Sequence, residues 1–164
     1  MSLAVLEIVE EVTEKEQVAP PDQALMRMLF APLGAQALYV AAKLGIADLL
    51  IEGPKNITDL AQKTSSDESS LYRVLRALTS FGVFAEKPNR VFELTPSAEL
   101  LRSDVNGSLR DIATFMGADW HWEVWGQMLY SVQTGKPACE KFMGRKSFHI
   151  SLRTNRLPGF LTTP

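Results

Sequence analysis

The sequence has few of the residues that most often carry catalysis or bind metals. Its 164 residues include one cysteine, Cys139, and two histidines, His121 and His149. A single cysteine cannot form an internal disulfide, which fits a reducing compartment. One cysteine and two histidines are also too few for an ordinary zinc site built from protein ligands. We therefore expect neither a disulfide framework nor a structural metal in this chain.

Glycine-rich nucleotide-binding motifs are also missing. The chain has 10 glycines but no Gly-x-Gly spacing and no P-loop, so no loop of backbone amides that cradles a nucleotide can be assigned. Cys139 could act as a nucleophile with His121 or His149, and His121 alone could act as a base. Packed cysteines and partly buried helix histidines are the commoner roles of such residues. We predict no catalytic and no cofactor-binding residue here.

Charge and hydropathy argue against secretion and membrane insertion. The formal net charge is −2. Glu7, Glu10 and Glu11 stand where a signal peptide would have a basic segment before an apolar one. The longest uncharged run, residues 28–42, is shorter than the ~20 residues that a membrane span needs. We predict a soluble, cytoplasmic protein that contacts no membrane.

Residues 57–95 have the order of a winged helix-turn-helix. Thr58 can cap a first short helix, because its hydroxyl can accept from a free backbone N–H. The Ser65-Ser66-Asp67 cluster ends that helix and caps a second one, from about Glu68 to Phe81. The second helix carries apolar residues at a spacing of three to four, which predicts one buried stripe: Leu71, Val74, Leu75, Leu78 and Phe81.

A two-stranded wing follows the second helix. Gly82 stands where a left-handed residue ends a helix. Residues 83–86 and 91–94 read as strands, and residues 87–90 supply the turn between them. Thr95 and Pro96 then begin a new helix as cap and first residue. Short helices are predicted over 97–102 and from Asn106 or Ser108 to about residue 116.

A winged helix can read DNA or pack against protein, and the charges favour packing. The second helix and the wing carry few cations: Arg73, Arg76, Lys87 and Arg90. Glu86 and Glu93 lie beside them on the wing. Contacts to phosphate dominate DNA affinity, so these cations are a thin supply for a DNA reader. A winged-helix transcription regulator that binds DNA stays open as the alternative function.

A long, nearly uncharged helical region precedes the winged helix, from about residue 22 to residue 51. Only four charged residues interrupt it: Asp22, Arg27, Lys43 and Asp48. A helix that is apolar nearly all round must be buried on most sides. One domain of this size has few places to bury such a helix, so we predict that part of it packs against a second chain. A central core helix is the alternative.

The region after the wing is unusually aromatic. We expect Asp119 to begin one helix, DWHWEVWGQMLYSVQTG, that ends at Gly135. Trp122, Trp125, Leu129 and Val132 would share one face of it, with Met128 beside them. Flat aromatic rings and polarizable methionine suit a planar apolar ligand. Core packing is the commoner explanation of such a stripe.

Several of these segments, in this order, resemble one known family. LYRVLRALTSFGVFAE followed by LTPSAELLR resembles the N-terminal dimerisation domain of small-molecule O-methyltransferases that use S-adenosylmethionine, of the caffeate, acetylserotonin and polyketide-tailoring types. QALYVAAKLGIADLL is similar to the long dimer helix of that family, and WHWEVWGQMLYSVQTGKPACEKFMG to the stretch that leads into its active site. The resemblance extends from about Leu25 to Phe148.

The resemblance implies a mainly α fold, a winged helix-turn-helix with added dimerisation helices and a small two-stranded wing. It implies a homodimer that binds no nucleic acid and helps to wall the pocket of a small aromatic acceptor. In the family, the catalytic histidine and the glycine-rich loop for S-adenosylmethionine lie in a following Rossmann-type domain. We expect that domain to be absent and this chain to be inactive alone. The residues implied to line the acceptor are Trp125, Met128, Trp122, Phe30 and Met26.

The tail from His149 to Pro164 departs from the family pattern, which continues with a helix reading roughly Tyr-Leu-Ala-x-Asn-Pro. Back-translation of residues 148–164, read two bases further on, can give a peptide that begins Ser-Tyr-Leu-Ala-Glu-Asn. Our hypothesis is that a frameshift near Phe148 truncated a methyltransferase gene. The expected organisation is an arm over 1–21, a winged-helix domain over 22–148 and an atypical tail over 149–164.

Overall fold

The computed structural model of the chain describes residues 20–143, with the side chains of residues 140, 142 and 143 left out. The predicted arm up to residue 19 and the predicted frameshift tail lie outside these residues. Contacts between residues divide the chain into two units, Met1–Leu33 and Gly34–Pro164. The first helix, α1 (Pro21–Lys43), contributes its N-terminal part to the first unit and its C-terminal part to the second.

Helix α1 is 23 residues long and keeps Pro32 in its interior. It stops before Gly45, whose φ of 66° is left-handed and suits a residue without a Cβ. Helix α2 (Ile46–Leu49) follows. The predicted helical region therefore exists, divided into two helices.

Most of α1 is exposed in the described chain, and only Ala41 and Ala42 are buried. It is therefore not a central core helix of this chain, which was the alternative interpretation of its sequence. By length and composition it is the one helix among residues 20–143 that could cross a membrane, a weak indication. The large exposed apolar residues of its first-unit part are Leu25, Met26, Met28, Leu29, Phe30 and Leu33.

The second unit contains the predicted winged helix. Its helices are α3 (Ile57–Thr64) and α4 (Glu68–Ser80), and its strands are β1 (Lys55–Asn56), β2 (Phe84–Lys87) and β3 (Val91–Leu94). The strands form an antiparallel sheet in the order β1-β3-β2. The sequence predicted only two of them, because β1 has two polar residues and acquires its strand geometry by pairing with β3.

The helix caps agree with the sequence at α4 and differ at α3. The Oδ1 atom of Asp67 accepts from the Ser70 backbone N–H at 2.8 Å and caps α4 as predicted. Hydrogen bonds from the Ser70 side chain and backbone lower the pKa of Asp67, so this cap is complete at neutral pH and is lost on strong acidification. Helix α3 begins one residue earlier than Thr58. Its cap is Asn56, whose side chain accepts from the Asp59 backbone N–H at 2.8 Å.

The core of the second unit lies between α2, α3, α4 and the wing. The stripe predicted on α4 is partly correct: Leu71, Leu75 and Leu78 are buried, whereas Phe81 is 65% exposed. Phe81 falls at the C-cap of α4 and its ring lies against Gly34 instead of the core. The largest fully buried side chains are Phe84, Phe92, Ile46, Leu60, Leu75 and Leu78.

Up to residue 143, five short helices follow the wing: α5 (Pro96–Glu99), α6 (Arg110–Met116), α7 (Asp119–Trp125), α8 (Met128–Thr134) and α9 (Ala138–Met143). Thr95 caps α5 with Pro96 at its start, as predicted. The prediction of one helix over 119–135 is wrong, because the helix is interrupted at Gly126 and Gln127, which separate α7 from α8.

Contacts at both ends of α6 attach it to α2 and to the C-terminal part of α1. The Arg110 guanidinium pairs with Asp48 at 2.6 Å and donates to the Ala42 carbonyl oxygen at 3.2 Å. At the other end of α6, Gly117 is buried against Tyr39, and the Gln36 side chain donates to the Gly117 carbonyl oxygen at 3.1 Å. A Cβ at position 117 would lie 2.2 Å from the Tyr39 Cβ atom. No side chain fits there without a shift of the helices.

The first prediction concerns the cap of α3. Replacing Asn56 by alanine should lower the free energy of unfolding by about 1 kcal/mol, because the Asp59 N–H loses its acceptor. Replacing Thr58 by alanine should change it by less than about 0.5 kcal/mol, because Thr58 is exposed inside the first turn. Urea unfolding of both variants measures this, and a larger loss for Thr58→Ala would contradict the assigned cap.

The second prediction concerns the close approach at Gly117. Gly117→Ala should lower the free energy of unfolding by roughly 1–3 kcal/mol, because the new methyl group overlaps the stem of Tyr39. Gly126→Ala is the matched control. Gly126 has a helical φ of −61° and meets nothing closer than 3.4 Å, so the variant should be neutral or more stable by roughly 0.4–1 kcal/mol. Equal thermal unfolding of the two variants would contradict the packing described here.

Candidate functional site

Four aromatic rings cluster at the junction between α6 and α7. The ring centroid of His121 lies 5.0 Å from that of Phe115, 5.4 Å from Trp120 and 5.8 Å from Trp125. Phe115 and Trp120 are 5.2 Å apart in a T-shaped arrangement. Such edge-to-face pairs stabilise one another beyond simple burial. The histidine is therefore the central ring of an aromatic cluster on the protein surface.

Both nitrogens of His121 are engaged in hydrogen bonds. The Trp125 indole Nε1–H donates to His121 Nε2 at 2.8 Å, and His121 Nδ1 lies 3.0 Å from the Met116 carbonyl oxygen. An indole N–H can only donate and a carbonyl can only accept, so Nε2 must be unprotonated and Nδ1 must carry the proton. His121 is therefore neutral in this arrangement. Neither nitrogen is free to serve as a general base, the role that the sequence left open.

Three residues predicted to line an acceptor lie in this region. Trp125 and Met128 are 52% and 50% exposed and flank the break between α7 and α8. Trp122 is half-buried, and its indole nitrogen is buried without a hydrogen-bond partner in the part of the chain that the structure describes. The broken helix changes the predicted face, because Leu129 and Val132 are 67% and 78% exposed on α8.

The other two predicted residues belong to the first unit. Met26 and Phe30 are 50% and 54% exposed and lie one helical turn apart on α1. They offer apolar surface of the kind that an aromatic ligand or another protein chain covers. That all five residues line one pocket stays a prediction.

An open groove of about 690 Å³ lies elsewhere, between α4 and the wing. None of the predicted acceptor-lining residues belongs to it. Its floor includes Phe84, and its rim is polar through Arg76 and Glu86, which pair with each other at 3.0 Å. It is therefore a groove beside an ion pair and not the predicted acceptor site.

The cations of the winged helix have partners of their own. Lys87 pairs with Glu93 at 2.5 Å on the wing. Arg90 stacks over the Tyr72 ring at 4.8 Å and lies 3.9 Å from Glu68. Exposed ion pairs of this kind contribute little stability, but each one places an anion beside the cation that a phosphate would need. Arg76, Lys87 and Arg90 therefore already lie beside carboxylates, which disfavours contacts to phosphate.

No group of three or more histidine, cysteine, aspartate or glutamate side chains within residues 20–143 could hold a metal ion. Cys139 is half-buried with a free thiol. His149, its other suggested partner, lies outside the described residues.

Comparison with known proteins gives this arrangement a family. Residues 25–104 match the model of the O-methyltransferase dimerisation domain. Phenazine O-methyltransferase PhzM of Lysobacter antibioticus is 43% identical over 129 residues, which are 79% of this chain and 38% of that protein. The crystal structure of LaPhzM superposes with a TM-score of 0.73 at 44% identity, over 77% of this chain and 38% of the other.

A second solved structure agrees. The N,N-8-amino-8-demethyl-D-riboflavin dimethyltransferase RosA from Streptomyces davawensis has a TM-score of 0.71 at 37% identity, over 79% of this chain and 38% of its own. The chain thus spans a little over a third of the length of these relatives. Residues 25–104 include the winged helix, the sheet and most of the long exposed helix. Through these residues the chain belongs to the O-methyltransferase dimerisation domain family.

Proposed function

We propose that this chain supplies the dimerisation and acceptor-lining part of an O-methyltransferase that transfers a methyl group from S-adenosylmethionine to a hydroxyl of a small aromatic molecule. One observation carries the proposal. The family match over residues 25–104 includes most of α1, the helix whose large apolar side chains are exposed in the described chain.

The exposed side of α1 is the basis for a homodimer. Its first-unit part has six large apolar side chains between 50% and 73% exposed. Soluble proteins seldom leave a contiguous apolar patch of more than a few hundred Å² in water. Burial of apolar surface is favourable by roughly 25 cal/mol per Å². Covering this face with a second copy would therefore stabilise the dimer by several times the thermal energy. We infer that a twin chain is the occupant.

The aromatic region is the basis for an acceptor site. Trp125 at the end of α7 and Met128 at the start of α8 expose a flat ring and a thioether on the surface. Trp122, Phe30 and Met26 are proposed as further contacts because they offer the same chemistry. The named relatives act on a phenazine and on a riboflavin derivative, both planar ring systems. A planar aromatic acceptor suits these side chains.

The described residues do not fit the methyl donor itself. They include no buried polar or charged side chain and no glycine loop that could approach a nucleoside. In the proposed enzyme the donor is therefore held by residues other than those described, and so is the base that takes the hydroxyl proton. We propose a soluble, cytoplasmic protein, since small aromatic metabolites and S-adenosylmethionine meet in that compartment.

The third prediction concerns dimerisation. Sedimentation of the purified chain should show a dimer, and Leu29→Asp should weaken it at least about 30-fold, because a hot-spot side chain contributes about 2 kcal/mol or more. Ile51→Asp is the matched control, since Ile51 is 42% exposed but lies after α2. A wild-type chain that stays monomeric and folded at high concentration would contradict the proposed homodimer.

The fourth prediction separates this function from a DNA-binding regulator. Fluorescence anisotropy of a labelled duplex at physiological salt should show no binding in the range of about 10⁻⁴–10⁻⁶ M that basic DNA-binding proteins reach without sequence specificity. The Arg76 side chain is already paired with Glu86, so Arg76→Ala should change nothing. Salt-sensitive binding that Arg76→Ala weakens would support the regulator instead.

A further inference from the structure

Trp125 combines two properties that seldom occur together in one side chain. Its ring is 52% exposed, and a surface side chain normally samples several rotamers. Its single polar atom nevertheless donates a hydrogen bond of 2.8 Å to another side chain, His121. The ring is thus open to a ligand while its orientation is restricted.

His121, which accepts that hydrogen bond, is itself held by three neighbouring residues. Its Nδ1–H donates to the Met116 carbonyl oxygen at 3.0 Å. The rings of Phe115 and Trp120 pack against it, with centroids at 5.0 Å and 5.4 Å. The Met116 bond also determines the tautomer, because a proton on Nδ1 leaves Nε2 with the lone pair that Trp125 needs. The backbone of α6 therefore sets the direction of the indole through the imidazole.

The Met116 carbonyl is a reliable reference point because the next residue is held in place. Gly117 is buried against Tyr39, and its own carbonyl accepts from Gln36 at 3.1 Å. A chain of contacts therefore runs from the C-terminal part of α1, through the end of α6, to the ring of Trp125. All of these residues belong to the second unit.

We propose that His121 is a positioning residue that holds the Trp125 indole in one orientation as a preformed wall for an aromatic acceptor. The juxtaposition of an exposed indole, a neutral imidazole and a backbone carbonyl carries this inference. It rests on the proposed function in one respect, namely that Trp125 contacts the acceptor. Fixing a side chain before binding removes the entropic cost of ordering it when the ligand arrives.

Two substitutions test the hydrogen bond separately from the ring. His121→Phe keeps an aromatic ring in the cluster but removes the nitrogen that accepts the hydrogen bond from Trp125. His121→Gln places an oxygen near the position of Nε2 and can restore that acceptor. The side-chain N–H signals of the three tryptophans, with Trp125→Phe to identify one of them, report the bond directly in ¹⁵N–¹H spectra of the whole chain.

We expect the Trp125 indole proton to shift upfield and to exchange faster with solvent in His121→Phe, and to return toward its wild-type behaviour in His121→Gln. A Trp125 signal unchanged in His121→Phe would overturn the positioning role. This measurement needs no ligand. Thermal unfolding of both variants checks that neither change acts by loosening the whole fold.

Binding of a planar probe, 1-hydroxyphenazine, tests the consequence for the acceptor by quenching of tryptophan fluorescence. His121→Phe should weaken probe binding about 2- to 10-fold, the cost of ordering one side chain, while His121→Gln should stay within about 2-fold of the wild type. Trp125→Ala should weaken it further, and Leu129→Ala, an exposed neighbour on α8, should leave it unchanged.

The two measurements distinguish a failure of the positioning role of His121 from a failure of the proposed acceptor site. If the indole signal moves in His121→Phe but Trp125→Ala leaves probe binding unchanged, the acceptor wall of the proposed function is wrong and the hydrogen-bonded positioning of Trp125 stands. If Trp125→Ala weakens binding while His121→Phe changes neither the signal nor the affinity, the acceptor wall stands and the positioning role is wrong.

Discussion

The placement of α6 and of the helices that follow it depends on the contact between Gly117 and Tyr39. A position that lacks a Cβ lets the end of α6 approach the stem of a large aromatic side chain on α1, and Gln36 joins the same two segments by a hydrogen bond. Arg110 attaches the start of α6 to Asp48 and to the Ala42 carbonyl. With both ends of α6 attached, the short helices that follow begin from a defined place, and the aromatic cluster forms there.

The same helix α1 serves two purposes along its length. Its C-terminal part is packed, with Ala41 and Ala42 buried and Tyr39 against Gly117. Its N-terminal part leaves a run of large apolar side chains exposed in the described chain, and exposed apolar patches of this kind usually mark an interaction site. The family to which residues 25–104 belong takes its name from dimerisation, and this part of α1 offers the apolar surface that association requires.

The winged helix is a fold associated with DNA, but three of its cations lie beside carboxylates. Glu86 accepts from the Tyr72 hydroxyl at 3.0 Å and from Arg76 at 3.0 Å, so the wing and the second helix are joined by one carboxylate. The guanidinium of Arg90 stacks over the ring of the same tyrosine, 4.8 Å from its centroid. Arg76 and Arg90 approach carboxylates that link α4 to the wing, and Lys87 links β2 to β3. Winged-helix geometry alone therefore does not indicate DNA binding, because the partners of its charged side chains also matter.

Local chemistry was sufficient to predict much of the fold. The order of the winged helix, the Asp67 and Thr95 caps and the left-handed Gly82 follow from residues that act on their immediate neighbours in the chain. The apolar character of α1 was also visible in its composition. The family resemblance, which rested on several segments in the right order, was confirmed by the comparison. The residues named for the acceptor site followed from that resemblance, and their shared pocket remains a proposal.

Tertiary contacts decided the rest. The strand β1 exists because β3 pairs with it, and Phe81 leaves the α4 stripe because its ring lies against Gly34. The orientation of Trp125 depends on a carbonyl at the end of another helix, through His121. A periodic pattern records only which side of a helix is apolar. Which distant atoms meet that side depends on how the helices pack, and no local spacing in the sequence contains that information.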